Sequence, residues 1–252
     1  MQERPIPARS DRGGEQSGCD AVTELIDRFV IAIDGPSGTG KSTVAKHLAR
    51  QLRAGYLDTG AMYRIVTLAI LRAGVDPADE AAVADHLPLV QFHSPTDPDR
   101  QQHDLDGDDV TAQIRGGDVT LAVTPVSANP AVREWLMERQ QQLAHTGRMV
   151  VEGRDIGTVI APDATLKVYL TADESERARR RHRQNGAVNV PAAPNDLDAV
   201  RADLNRRDTV DSGRATAPLR AADDAIHLDS SDLTADQVVE QILAFAAERG
   251  IN

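Results

Sequence analysis

The sequence predicts an open α/β fold, a parallel sheet with helices on both faces, and three observations carry that prediction. Short, nearly unbroken apolar runs appear at Phe29 to Ile33, Met149 to Val151 and Leu166 to Leu170, each the length of a strand buried on both faces. Stretches of helical apolar spacing lie between them, the rhythm of strand and crossover helix. The first run feeds Gly35-Pro36-Ser37-Gly38-Thr39-Gly40-Lys41-Ser42, which matches G-x-x-x-x-G-K-[ST] with a strand before it and a helix after it.

That loop has a defined chemistry. Without Cβ atoms at Gly35, Gly38 and Gly40, the backbone can curl so that successive N–H groups point inward and approach a phosphate closely. The helix that starts near Lys41 adds partial positive charge at the same point. Lys41 is expected to reach the β- and γ-phosphates of ATP, the Ser42 hydroxyl to ligate Mg²⁺, and Thr43 to touch the α-phosphate. Val44, Leu48 and Leu52 recur every four residues, the face this helix lays on the sheet.

Composition narrows the partners. The chain has 252 residues, 40% of them apolar and 3% aromatic, enough for one substantial core of Val, Leu, Ile and Ala. Lys and Arg number 28 against 39 Asp and Glu, a net charge of −11, which argues against a surface for nucleic acid or an anionic membrane and leaves room for a local basic cleft. Cys19 stands alone, so no internal disulfide can form. No apolar run approaches the ~18 residues of a spanning helix, and no signal-peptide apolar region precedes Phe29. A cytoplasmic monomer is expected.

In chain order, residues 1–28 read as a disordered tail rich in Arg, Gly, Ser, Pro and Gln. Gly55 to Leu57 is a second strand, followed by Asp58-Thr59 and a helix from Ala61 to Leu71; Thr59 can serve as an N-cap or as a substrate contact. Val90 to Pro125 breaks the rhythm. Val90 to His93 alternates, Asp106-Gly107 is a hairpin signal, and Ile114 to Leu121 reads as a further short segment of one small antiparallel insert. Asp104, Asp106, Asp108 and Asp109 look like a calcium loop but lack its closing Glu, so they read as a solvated hairpin edge. Pro130 to His145 is a helix, and the third strand ends in Glu152-Gly153-Arg154-Asp155, where Arg154 and Asp155 form either an ion pair with each other or a phosphate clamp beside a base or sugar acceptor.

Asp173 to His182 is helical and basic. Arg177, Arg180 and Arg181 stand at i, i+3 and i+4, either a solvated face pairing with Glu174 and Glu176 or lid arginines that close on ATP phosphates. Gly186 to Pro194 suits the tip of such a lid, and Leu197 to Leu204 returns as a helix. Ala225 to Leu228 is the fifth strand, and Thr234 with Gln237 makes a capping box for the last helix. His47 and His227 have no evident partners, and no histidine is assigned to catalysis.

Taken together, DGPSGTGKST, LDTGAMYR, GRDIGT after the third strand and RRDTVDSGRATAPL resemble the bacterial cytidylate kinases, from about Phe29 to the end. The resemblance implies a P-loop nucleoside-monophosphate-kinase fold: a core of 29–60, 145–172 and 206–252, an acceptor-binding region with its insert over 61–144, and a lid over 173–205. It implies transfer of the γ-phosphoryl of ATP to CMP or dCMP with Mg²⁺. By the same resemblance Arg64, Arg154 and Arg214 hold the acceptor phosphate, with Thr59 and Asp211 on the ribose and Arg207 beside them. Tyr63 joins this CMP-binding set, and Thr124, Arg133 and Asp155 read the cytosine edge. Cytosine presents an amine donor next to acceptors, which a carboxylate and a guanidinium complement. The catalytic set is then Lys41, Arg154, Arg214, Arg177, Arg180 and Arg181. Two rivals stand beside this reading: a P-loop kinase with another acceptor (AMP, shikimate or a nucleoside), and a nucleotide-dependent switch. The switch lacks a guanine-reading N-K-x-D and has no use for three acceptor-type arginines.

Overall fold

β1 (Phe29–Asp34) runs through the middle of the molecule, buried at every position as its apolar sequence requires. The computed structural model of the protein describes residues 28–188, 196–214 and 216–252. The tail expected before Phe29, apart from Arg28, and residues 189–194 of the expected lid tip lie outside the described residues.

After β1 come α1 (Lys41–Gln51), β2 (Gly55–Asp58), α2 (Thr59–Arg72) and α3 (Glu80–His86). The insert then contributes β3 (Phe92–His93), β4 (Asp104–Leu105) and β5 (Asp108–Asp109). α4 (Gly117–Ala128) and α5 (Pro130–Ala144) lead back to β6 (Arg148–Gly153) and β7 (Leu166–Thr171). α6 (Glu174–Val188) and α7 (Leu197–Ser212) precede β8 (Ile226–Asp229) and α8 (Ala235–Ala247). The large sheet is five-stranded in the order β2-β6-β1-β7-β8, with every pair parallel.

Strand periodicity divides the core. Phe29, Ile31 and Ile33 face Val44 and Leu48 of α1 and Val239 and Ile242 of α8. Val30 and Ala32 face the other way, towards Met62, Val66 and Ile70 of α2 and Val132 and Leu136 of α5. Burying each large aliphatic side chain of this kind contributes about 1.5–3 kcal/mol, and that drives both helix layers onto the sheet. The capping box at Thr234 and Gln237 forms as expected and starts α8.

The insert differs in part from expectation. Its hairpin turns at Asp106 and Gly107, both with positive φ (54° and 87°), the conformation that an Asp-Gly pair tolerates. Asp104 and Asp109 cap turns, accepting from the Gly107 and Thr111 amides. Ile114 to Leu121, however, is not a strand segment: Gln113–Arg115 is a 3₁₀ turn and the rest opens α4. Thr120 and Thr124, and Val119 and Val126, recur at helical spacing and are buried, so the period is that of a helix face. Val90 and Gln91 also precede β3 instead of belonging to it. α7 runs on to Ser212, across the boundary expected at 205 and 206, which places Arg207 and Asp211 on a helix.

Candidate active site

The carboxyl ends of β1, β2 and β6 open into a cavity of about 660 Å³. Gly35 has φ 144°, and a Cβ there would stand 2.1 Å from the Leu170 carbonyl oxygen; at Gly38 (φ 83°) it would stand 2.9 Å from the Arg177 carbonyl oxygen. Glycine alone lets the loop fold this tightly. The N-terminus of α1 receives no side-chain cap, so its first amides are left for an anion. Residues Ser37 to Thr43 line the cavity, whereas Gly35 and Pro36 are not part of its lining. The Pro36 carbonyl accepts from Lys41 Nζ at 2.8 Å and from Thr39 Oγ1 at 3.2 Å.

Lys41 is buried, and burial followed by Arg154 lowers its pKa from 10.5 to about 7. Between those values the unfolded chain holds more protons, so the Lys41 contribution to stability rises with pH across that window. A bound polyphosphate reverses the balance by stabilising the ammonium. Calorimetry of ATP binding at pH 8, repeated in buffers of different ionisation enthalpy, should therefore show net proton uptake that Lys41→Met abolishes.

The expected acceptor residues gather around the same cavity. Thr59, Tyr63, Arg64, Thr124, Arg133, Arg154, Asp155, Arg207, Asp211 and Arg214 all line it. Arg154 joins the loop to this set: Nη2 donates to Ser37 Oγ at 2.6 Å and Nε to Asp211 at 3.0 Å. Arg214 donates to the other Asp211 oxygen and to Ser127 Oγ. Arg207 donates to the Thr120 carbonyl at 2.9 Å and pairs with Asp203. Arg64 donates to the Ile114 carbonyl and to Thr120 Oγ1, both at 3.0 Å. Burial, then the nearby Arg181, Arg207 and Arg115, lowers Arg64 to about 9. Arg133 and Asp155 form a buried ion pair, and the Arg133 guanidinium also lies 5.6 Å from the centre of the Tyr63 ring. Arg154 and Asp155 thus do not pair with each other. Burial holds Asp155 above the usual carboxylate range despite Arg133.

Two expectations need correction. Asp58, not Thr59, caps α2 by accepting from the Ala61 amide; Thr59 is the first helical residue and donates to the Glu152 carbonyl at 2.7 Å. Arg177 and Arg180 are held by main-chain and side-chain partners. Arg177 pairs with Asp208 and donates to the Ser37 carbonyl, and Arg180 binds Glu176, the Thr39 carbonyl and Ser230. Arg180 and Arg181 both line the cavity, Arg181 with Gln184 as its hydrogen-bond acceptor, whereas Arg177 is not part of that lining and is held by Ser37 and Asp208. His47 and His227 do have partners, the Asp236 carboxylate at 3.2 Å and the Tyr169 ring, and both residues lie outside the cavity lining.

Sequence reasoning passed over Asp34, Glu152 and Asp208. Asp208 accepts from the Ser37 amide at 3.1 Å as well as from Arg177. Asp34, raised to about 6 chiefly by burial, accepts from the Ile156 and Gly157 amides, each at 2.8 Å, and so fixes the turn that follows Arg154 and Asp155. Glu152 is buried at the end of β6, with Ser42 and Lys41 beside its carboxylate; burial and then Asp58 raise its pKa. All three stand inside or beside the quoted motifs, so their position at strand ends or between arginines was the available signal.

A sheet in this order, a phosphate loop after its first strand and arginines lining the same cavity define a P-loop kinase with an anionic acceptor. The family model described as Cytidylate kinase matches residues 31–248. The cytidylate kinase of Rhodococcus opacus (strain B4) is 54% identical over 222 residues, covering 88% of this chain and 96% of that protein. That of Mycolicibacterium paratuberculosis (strain ATCC BAA-968 / K-10) is 52% identical over 221 residues, covering 87% and 96%, and that of Geobacillus kaustophilus (strain HTA426) is 46% identical over 222 residues, covering 88% and 98%. The chain belongs to the cytidylate kinase family.

Proposed function

We propose that the protein transfers the γ-phosphoryl group of ATP to CMP or dCMP, giving the corresponding diphosphate and ADP. The observation that carries the acceptor choice is the buried Arg133–Asp155 pair at the cavity wall, set beside a cluster of arginines. A carboxylate can accept from the cytosine amine and the guanidinium can donate to its ring acceptors, whereas uracil presents the wrong polarity to Asp155.

Each residue then has a role. The loop amides and Lys41 would grip the donor phosphates. Arg64, Arg154 and Arg214 would orient the acceptor phosphate, already anionic at neutral pH, for in-line attack. Arg154, tied to Ser37 on one side and Asp211 on the other, would stand where charge develops between the nucleotides. Thr59, Asp211 and Arg207 would hold the ribose, Thr124 and Tyr63 the base, and Arg181 would close from α6. No covalent nucleophile is needed.

The residues fit Mg²⁺. Ser42 and the buried Glu152 offer hard oxygen donors next to Lys41, and a carboxylate so buried gains from a cation. Ser42 would ligate it and Glu152 would face its water shell. Bound with ATP, the ion offsets phosphate charge.

An acceptor panel of CMP, dCMP, UMP, AMP, shikimate and cytidine, with ATP and Mg²⁺ in a coupled ADP-release assay, tests the reading. CMP and dCMP should give the highest kcat/KM. Preference for AMP or shikimate would replace the acceptor, and ATP binding without any phosphorylated product would leave a switch.

A further inference from the structure

Tyr56 is a packing anomaly. It lies on β2, fully buried, in the apolar layer formed with Val44, Ala45 and Leu48 of α1. A purely apolar residue would fill that place without the cost of burying a hydroxyl. The hydroxyl has a partner with the same problem: it donates to the carboxylate of Glu152, which is 4% exposed. The Glu152 main chain is already held by Thr59 from the same stretch of chain, so the carboxylate is the arm left to be aimed. Lys41 attracts the same carboxylate, and a carboxylate that turned onto it would offset the ammonium needed by the donor phosphates.

We propose that Tyr56 is a positioning residue whose phenol fixes the Glu152 carboxylate beside Ser42 and away from Lys41, and thereby sets the affinity of the donor site for a divalent cation. The proposal rests on the donor-site reading above. Groups that orient the residues around a metal are typically worth about 10–100-fold in its affinity.

The experiment is a titration of the full chain, saturated with ADP, with Mn²⁺, reading free Mn²⁺ by electron paramagnetic resonance. Tyr56→Phe should weaken Mn²⁺ by about 10–100-fold, and weaken metal-free ADP less, because the released carboxylate can turn to Lys41. On a Glu152→Gln background the same change should add nothing, because the phenol acts through that carboxylate. Unchanged Mn²⁺ affinity in Tyr56→Phe, or an equal loss on both backgrounds, overturns the proposal. Should Tyr56→Phe fail to fold, fluorotyrosine incorporation decides the matter without it. The ¹⁹F resonance of Tyr56 should move with ADP plus Mg²⁺ and stay in place with ADP alone; an unmoved resonance overturns the idea. If the unaltered protein takes up no Mn²⁺ with ADP, the donor-site reading itself fails, a result distinct from one confined to the variants.

Discussion

Arg154→Ala should lower kcat by about 10³-fold or more, in the range that a single phosphate-directed arginine supplies to phosphoryl transfer. The reason is its place between Ser37 Oγ and Asp211, on the seam between loop and acceptor wall. The loop amides and Lys41 stay in place, and losing Arg154 removes one cause that depresses the Lys41 ammonium, so KM for ATP should not rise. Arg154 is partly exposed and its partner Asp211 keeps Arg214, so the melting temperature should shift by only a few degrees. Arg154→Lys restores charge without the fork and should recover only part of the rate. Single-turnover kinetics beside a thermal melt separates these outcomes. A near-normal rate in Arg154→Ala removes the residue from the chemistry.

The second large effect falls on acceptor choice. Asp155→Asn replaces a carboxylate that pairs with Arg133 by an amide that must present a donor to one side. A site built to hydrogen-bond one substrate can reject its analogue by ~10⁴-fold, so kcat/KM for CMP should fall by about 10²–10⁴, and far less for UMP. The CMP to UMP ratio is the readout, because it is insensitive to active-enzyme concentration. Removing one partner of a buried pair also costs about 3–5 kcal/mol, so the assay belongs at low temperature and the conservative amide is the variant to use. Burial raises Asp155, so the carboxylate takes up its proton at higher pH than an ordinary aspartate. The preference for CMP should therefore decay on acidification before the usual carboxylate range is reached. A ratio unchanged in Asp155→Asn sinks the assignment.

The sheet and the phosphate loop were legible because their signals are local. An apolar run such as Phe29 to Ile33 is buried on both faces wherever it is placed in a parallel sheet, and the Gly35 to Ser42 pattern specifies its own backbone. The hairpin at Asp106-Gly107 was legible for the same reason. Ile114 to Leu121 was not, because its helical period becomes visible only when Thr124 and Val126 are counted with it. Partners were the hardest to read. That Arg177 and Arg180 would face Asp208 and loop carbonyls depends on where α7 and the loop after β8 pack, and so on contacts more than 30 residues away in sequence. Glu152 was overlooked because a lone acid at a strand end looks like any other until Tyr56 and Ser42 are seen beside it.

The division of the core between the two sides of β1 carries a historical consequence. The donor helix α1 rests on one side with α8, while α2 rests on the other and shares a small core of Ile65, Ala69, Leu105, Val110 and Ile114 with the insert. Substitutions that remodel the insert and α2 therefore leave the footing of the ATP grip alone. Lineages carrying this architecture can drift from one acceptor to another by small steps, each tolerated, without ever losing their energy source on the way.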